Sequence, residues 1–155
     1  MRDRAWNLGL LLLRFTGLYL AFGHGHMKFA ALLHGEADMF IGMVRSMGAP
    51  SPVLFAWLAA CAEFIGGLLV FIGLGTRVAA AFAAIDLLVA AFVVHHAHLQ
   101  FLHAIGAGST PTETIKTWGN PELAIVYGLA MLCLVFTGPG RISIDGMIHR
   151  RMGRE

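Results

Sequence analysis

Four long apolar runs constrain this chain more than any other feature of its sequence. A helix that crosses a bilayer needs about 20 mainly apolar residues, and backbone in lipid must satisfy its own hydrogen bonds. The composition agrees, because 57% of the 155 residues are hydrophobic, 13% are charged and the mean hydropathy is +0.72. We therefore expect an all-α transmembrane four-helix bundle whose spans cover residues 6–33, 51–75, 77–102 and 121–138.

The first run follows the basic sequence "MRDR", an arrangement that cleaved signal peptides share. Arg14 interrupts the apolar core of this run, and no small-residue cleavage site follows it. We therefore interpret the run as a retained span, and residues 1–155 as one membrane domain. After the fourth run, apolar residues alternate with arginines, which predicts a basic amphipathic tail over 141–155 on the inner leaflet.

Most Lys and Arg residues fall on one side of the predicted bundle. They precede the first run, lie between the second and third, and follow the fourth, whereas the loops 34–50 and 103–120 contain only Arg45 and Lys116. Because cytoplasmic loops are enriched in Lys and Arg, we predict that both termini are cytoplasmic in a bacterial plasma membrane. The net charge of +2 is too small and too scattered to indicate a nucleic-acid partner.

Three ionisable residues, Arg14, Glu63 and Asp86, fall inside predicted spans, where each costs ~2.5–3.5 kcal/mol without a partner. Counting ~1.5 Å per residue from the inner end of each run places all three at a similar depth. A buried Arg14–Asp86 pair with Glu63 nearby is the arrangement we expect. It is either an interhelical clasp or a proton-handling site, in which one arginine and two carboxyls leave one carboxyl in excess.

The outer ends of the first and third runs are rich in histidine. His24, His26 and Lys28 follow the first apolar stretch, and "HHAHLQFLH" ends the third. We expect an outer cluster in which these side chains meet Glu122 at the start of the fourth run. Its candidate cofactor-binding residues are His95, His96, His98 and Glu122.

Three interpretations of this outer cluster stay open. Imidazole and carboxylate together are ligands of transition metals and haem. However, His95 and His96 are consecutive, so they point about 100° apart, and no pair at a four-residue spacing shares a helix face. A quinone headgroup or other small-molecule pocket is favoured over haem or a metal, and plain interfacial structure is the remaining interpretation. Cys61 and Cys133 lie singly in apolar runs, where a thiol behaves as a small hydrophobe.

Several motifs together resemble the DoxX family of bacterial membrane proteins. They are "HGHMKF" in the first run, "MGAPSPVLFAWLAACAEFIGGLLVFIGLGTR" across the second, "GNPELAIVYG" at the fourth and "GPGRISID" after it. The resemblance implies a four-helix membrane fold. It picks out His24, Gly25, Lys28, Glu63, Gly66, Gly67, Arg77, Glu122, Gly140 and Asp145. Family members often carry one histidine at the end of the third helix, whereas this chain has four.

The resemblance also implies a function. Some relatives are subunits of a thiosulfate–quinone oxidoreductase, and others are associated with thiol and oxidative-stress proteins. We therefore predict a membrane subunit of a quinone-linked oxidoreductase, with a soluble or membrane redox partner and, as a further possibility, a homo-oligomeric assembly. Its candidate catalytic residues are Glu63, His24 and Lys28.

Two other functions remain open. The chain is alternatively a non-catalytic subunit that docks a soluble partner through its loops and basic tail. A small transporter is disfavoured, because the sequence lacks the paired broken helices of inverted repeats. Whether the chain is itself an enzyme is left open by the sequence.

Overall fold

The computed structural model describes the backbone of residues 2–152 and the side chains of residues 4–152. Within that range every regular element is a helix. The elements, in order, are α1 (Arg2–Leu20), a π-helical turn (Ala21–Gly25), α2 (His26–His34), α3 (Asp38–Ser46), α4 (Pro52–Ile72), α5 (Thr76–Val89), a second π-helical turn (Ala90–Val94), α6 (Ala97–Ala104), α7 (Thr112–Thr117), α8 (Glu122–Thr137) and α9 (Ile144–Met152).

Four rods form the bundle. α1 and α2 are joined through the first π-helical turn into one rod, which packs against α4. α4 packs in turn against α5, α5 against α8, and α8 returns to α1. α3 lies against α4 at one end of the bundle, between the first and second rods.

Three helices are long and apolar enough to cross a membrane by length and composition, namely Arg4–His34, Pro52–Ile72 and Thr76–Val94. The apolar helix Glu122–Thr137 packs with them but is shorter. Large apolar side chains cover the outside of the bundle, and Phe136, Tyr19 and Phe101 are each at least 64% exposed. Because water-soluble monomers rarely expose so much contiguous apolar surface, this exterior suits a lipid environment.

The third span ends earlier than the sequence predicted. Residues 77–102 were expected to form one helix, but the helix changes to a π-helical turn at Ala90 and stops at Val94. His96 then takes a left-handed conformation with φ 49°, and α6 begins at Ala97 as a separate helix. The predicted tail forms α9, while residues 153–155 lie outside the described residues.

The first part of α1 and the segment that follows α8 meet at one end of the bundle. The backbone N–H of Arg141, between α8 and α9, donates a 2.6 Å hydrogen bond to Asn7 Oδ1 of α1. Asp145 of α9 accepts hydrogen bonds from Gly75 and Thr76 at the start of α5. We call this end the latch end, and the opposite end, which carries α3, α6 and α7, the loop end.

Candidate functional site: a buried carboxyl pair beside one lysine

A seam of small residues brings the first rod close to α4. A Cβ added at Gly17 would lie 2.6 Å from the Gly67 carbonyl oxygen, and one added at Gly67 would lie 2.5 Å from the Gly17 carbonyl oxygen. Further along, Gly25 lies against the backbone of Glu63 and Phe64. Because Gly25 ends the π-helical turn, that turn sets the face on which α2 begins.

The seam places Lys28 beside Glu63. Lys28 Nζ donates to Glu63 Oε1 over 2.7 Å, and the Glu63 side chain is only 4% exposed. Lys28 Nζ also lies 5.3 Å from the centre of the Phe40 ring of α3, at cation–π distance. A charge this deeply buried needs a partner, so the pair accounts for both ionisable side chains in an apolar setting.

Asp86 completes a group of three charged side chains, here called the triad: Lys28, Glu63 and Asp86. The Asp86 carboxyl, on α5, interacts electrostatically with both Glu63 and Lys28. Glu63 Oε2 is buried and receives no hydrogen bond from any residue that the structure describes. Two ionised carboxyls offer only acceptors to each other, so the pair is satisfied only by a proton or by a donor from outside it.

The triad borders a large apolar groove. The groove has a volume of about 940 Å³ and runs between α4 and α5, under α3. Lys28 and Asp86 supply its charged lining, and the rest is almost wholly apolar, from Val78 near the latch end to Met43 and Met47 at the loop end. A polar spot in an otherwise apolar cavity is the usual design of a small-molecule site.

Arg14 does not belong to the triad, and the expected Arg14–Asp86 pair is wrong. The Arg14 guanidinium donates to the carbonyls of Val70 and Phe71 at the end of α4, at 2.7–3.2 Å, and to those of Pro139 and Ile142. Arg14 lies level with Val70 and Phe71 at the end of α4, instead of with Glu63, so it belongs to the latch end. There it adds a donor to the last carbonyls of α4, of which Val70 also accepts from the Gly73 N–H.

The predicted outer histidine cluster is dispersed. His24 is exposed, with its ring 6.2 Å from the Tyr127 ring of α8, and Glu122 is exposed and bonded to Asn120. Neither contacts Lys28, because the lysine turns toward Glu63. The structure thus brings together Glu63 and Lys28 from the predicted catalytic set and leaves His24 apart.

The histidines after α5 fasten a loop. His95 Nδ1 lies 2.6 Å from the Trp118 carbonyl oxygen, and the His96 ring lies 4.5 Å from the Trp118 ring. His98 lies beside Phe92 and His96. In the part of the chain that the structure describes, no three His, Cys, Asp or Glu side chains are grouped so that they could hold a metal ion. The cofactor-binding role of His95, His96, His98 and Glu122 stays a prediction.

Sequence reasoning missed two features of the site. The first is the pairing of Lys28 with Glu63, since the residues were singled out separately and assigned to different depths. The second is Phe40 of α3, whose ring lies over the lysine. The contact of α3 with α4 that places Phe40 there has no local sequence signal.

Comparisons with known proteins agree on one family. The DoxX family model matches residues 9–96. A Bacillus subtilis protein named "Putative oxidoreductase CatD" is 36% identical over 148 residues, covering 96% of this chain and 92% of its own. The inner membrane protein YphA of Escherichia coli is 32% identical over 108 residues, 70% of this chain and 71% of its own. The membrane protein Rv3486 of Mycobacterium tuberculosis is 32% identical over 115 residues, covering 71% of this chain and 65% of its own. No solved structure matches.

Proposed function

The chain belongs to the DoxX family of multi-pass membrane proteins, and on that premise we propose that it is a membrane subunit of a quinone-linked oxidoreductase acting on sulfur compounds or thiols. The observation that carries the proposal is the carboxyl pair of buried Glu63 and half-buried Asp86 beside Lys28, at the edge of the apolar groove. The names of the relatives agree with the predicted bacterial inner membrane, and the name of CatD supports a redox role.

Reduction of a quinone inside a membrane requires a supply of protons, because the hydrocarbon interior of the bilayer contains no proton donor. Reduction of one quinone ring to the quinol takes two electrons and two protons, and its oxidation releases them. In this proposal the electrons come from a reduced sulfur compound or thiol through a partner subunit. Glu63 and Asp86 transfer the protons, because ionisable groups inside a membrane are the usual elements of proton relays.

Lys28 has a positioning role in this proposal. Its 2.7 Å bond to Oε1 fixes the Glu63 carboxyl and balances one negative charge. Under Phe40, Lys28 is only partly open to the groove, since its side chain is 30% exposed. His24 lies beside Tyr127, away from the triad, and its catalytic role stays a prediction.

The test uses membranes of the native host, in which any partner subunit is present. We expect deletion of the gene to lower the reduction of an added short-chain quinone by thiosulfate, sulfide or a dithiol. The wild-type chain should restore that rate, and Glu63→Gln should fail to restore it. Glu113→Gln is the matched control, because Glu113 is 83% exposed in a surface ion pair. Equal rates in deletion and wild-type membranes with every donor would contradict the proposal.

The docking alternative is favoured by one surface. α9 exposes Met147, Ile148 and Met152 beside Arg150 and Arg151, which suits either a membrane surface or a partner protein. Deleting the tail from Arg141 would also remove Asp145 and so break the latch end. A cleaner test replaces Arg150 and Arg151 by Ser. Loss of a co-purifying partner, with the membrane fraction of the chain unchanged, would support docking.

The finer topology is also a proposal. α8 is ~24 Å long at ~1.5 Å per residue, and Pro121 and Gly138 extend the apolar stretch at its two ends, so it serves as the fourth span. The latch end carries most of the Lys and Arg residues that the structure describes, which supports a cytoplasmic location of both termini. A reporter that is active only in the cytoplasm, fused after residue 155, should be active. An inactive reporter on a stable fusion would overturn this orientation.

A further inference from the structure

The free hydrogen-bonding capacity of the triad is entirely of one kind. Lys28, its only cation, donates to Glu63 Oε1 and faces the Phe40 ring. What remains in the lining of the groove is the Asp86 carboxyl, and a carboxylate only accepts hydrogen bonds. A buried acceptor without a donor costs ~1–3 kcal/mol, so a donor group on a ligand would relieve this cost.

The lining of the groove indicates the rest of the ligand. From Asp86 it continues along α5 to Val78 on one side and to Val93 and Val94 on the other, with apolar residues of α4 opposite. Several of these residues, such as Phe82 and Val89, are also exposed on the outside of the bundle. A long apolar tail can therefore lie in the groove and reach it sideways from the lipid.

We propose that the groove binds a long-tailed amphiphile whose neutral head donates an O–H hydrogen bond to Asp86, and that the reduced quinol is therefore bound in preference to the oxidised quinone. The inference rests on the proposed function for the choice of a quinol among hydroxyl-bearing amphiphiles. The preference for the quinol follows from the carboxylate oxygens of the site, which accept hydrogen bonds. Quinol hydroxyls can donate to these oxygens, whereas quinone carbonyls are acceptors themselves and cannot.

The size of the preference follows from the same pairing. A site built to bind a hydroxyl strongly rejects an analogue that lacks it, because its own polar groups are left unpaired. A proton on the carboxyl pair could still donate to a carbonyl oxygen, so the full effect is not expected. We expect the quinol to bind at least about tenfold more tightly, which corresponds to ~1.4 kcal/mol.

Cys61 provides a reporter within the chain. Cys61 lines the groove, whereas Cys133 lies exposed on α8, outside the groove lining, and serves as the internal control. The full chain in lipid nanodiscs is treated with an apolar alkylating reagent at rising concentrations of a fully substituted benzoquinol with a decyl tail, or of its oxidised form. Full ring substitution leaves no position for thiol addition. The rate of Cys61 alkylation then reports occupancy without any substitution.

The expected result is that the quinol protects Cys61 at about tenfold lower concentration than the quinone, while Cys133 reacts at an unchanged rate. Asp86→Asn should reduce the preference to less than about threefold, because an amide can donate to a carbonyl. Glu113→Gln should leave the preference unchanged. Calorimetric titration of the wild-type chain with both forms checks the affinities directly.

Three results would overturn the inference, and they differ in what they leave standing. Equal or tighter binding of the quinone overturns the donor preference but leaves the proposed function intact. Protection by decanol at the concentration needed for the quinol would mean that the groove takes hydroxyl-bearing lipids in general, without recognising the ring. If neither ring form protects Cys61, the quinone-linked function loses its binding site as well.

Discussion

Two buried polar regions, one at the latch end and one at the triad, differ in how completely they are satisfied. At the latch end, Arg14 is 4% exposed and its guanidinium bonds to four backbone carbonyls, while Asp145 accepts from two backbone N–H groups and one hydroxyl. At the triad, one carboxylate oxygen has no donor among the described residues. We infer that the latch end holds the fold together and that the triad is reserved for a ligand or proton.

The latch end should show the largest effect on stability. Arg14→Met removes every hydrogen bond that the guanidinium donates, including those to Phe71 of α4 and to the segment after α8. We expect a loss of ~3–5 kcal/mol, comparable to breaking a buried charged network, measured by thermal unfolding in detergent. Arg77→Met is the control, because Arg77 is exposed. Similar unfolding temperatures for the two variants would contradict a latch built on Arg14.

At the triad, an ion pair between Lys28 and Glu63 should make the effects of substituting these two residues on stability non-additive. Lys28→Met alone leaves Glu63 as a buried charge without its partner, so we expect a loss of ~3 kcal/mol. Lys28→Met with Glu63→Gln should recover ~1–2 kcal/mol of that loss, because no uncompensated charge remains. The matched pair is Lys116 and Glu113, at the same 2.7 Å but 64% and 83% exposed, where coupling should be ~0–1 kcal/mol. Additive effects at Lys28 and Glu63 would exclude a direct pair.

The seam offers a smaller and more local test. Gly25→Ala puts a methyl group into the backbone of Glu63 and Phe64, so the first rod must move away from α4. We expect a loss of ~1–3 kcal/mol, the usual cost of overpacking, together with a weakened Lys28–Glu63 bond. Gly23→Ala lies in the same π-helical turn with open space around it and should be nearly neutral. Equal stability of the two variants would mean that the close approach at Gly25 is not required.

Asp145 gives the smallest effect and a pH dependence. Burial alone would raise the pKa of this carboxyl, but hydrogen bonds from Thr76 and Gly75 outweigh it and hold the pKa below the usual 3.8. The pKa of Asp145 is lower in the folded than in the unfolded state. The ionised carboxylate therefore stabilises the fold fully at pH values above the unfolded-state pKa, and this stabilisation is lost as the pH falls through the folded-state pKa.

Asp145→Asn should therefore cost ~1 kcal/mol near neutral pH, as loss of a helix N-cap does, and less at strongly acidic pH. Stability measured across that range would show the wild-type and variant curves converging below pH 3.8. Glu36→Gln, at an exposed position, should leave the curve unchanged. Curves that stay parallel into acid would show that the ionised Asp145 carboxylate does not stabilise the latch end.

The sequence predicted the helical rods well, because apolar runs of this length have few alternatives in lipid. It singled out Glu63, Lys28, Asp86 and Arg14 as well, since charges in such runs are conspicuous. The sequence could not predict which residues these four side chains contact. Arg14 was misplaced because the depth count assumed that the runs end level with one another, whereas Arg14 lies beside Val70 and Phe71 at the end of α4.

The end of the third span was unpredictable for a different reason. No proline or glycine marks the change at Ala90, and the π-helical turn and the left-handed His96 depend on contacts with Trp118 far along the chain. Similarly, the seam at Gly25 was visible as a glycine, but its contact with Glu63 and Phe64 depends on the way two rods cross.

Infrared difference spectroscopy of the full chain in lipid, with and without the decyl benzoquinol, tests the contrast between the two regions most directly. We predict that quinol binding changes the carboxyl C=O stretching band. Glu63→Gln and Asp86→Asn should each remove this change, and Asp145→Asn should leave it. A binding spectrum without any carboxyl change, or one lost equally in Asp145→Asn, would contradict the claim that the triad is the site.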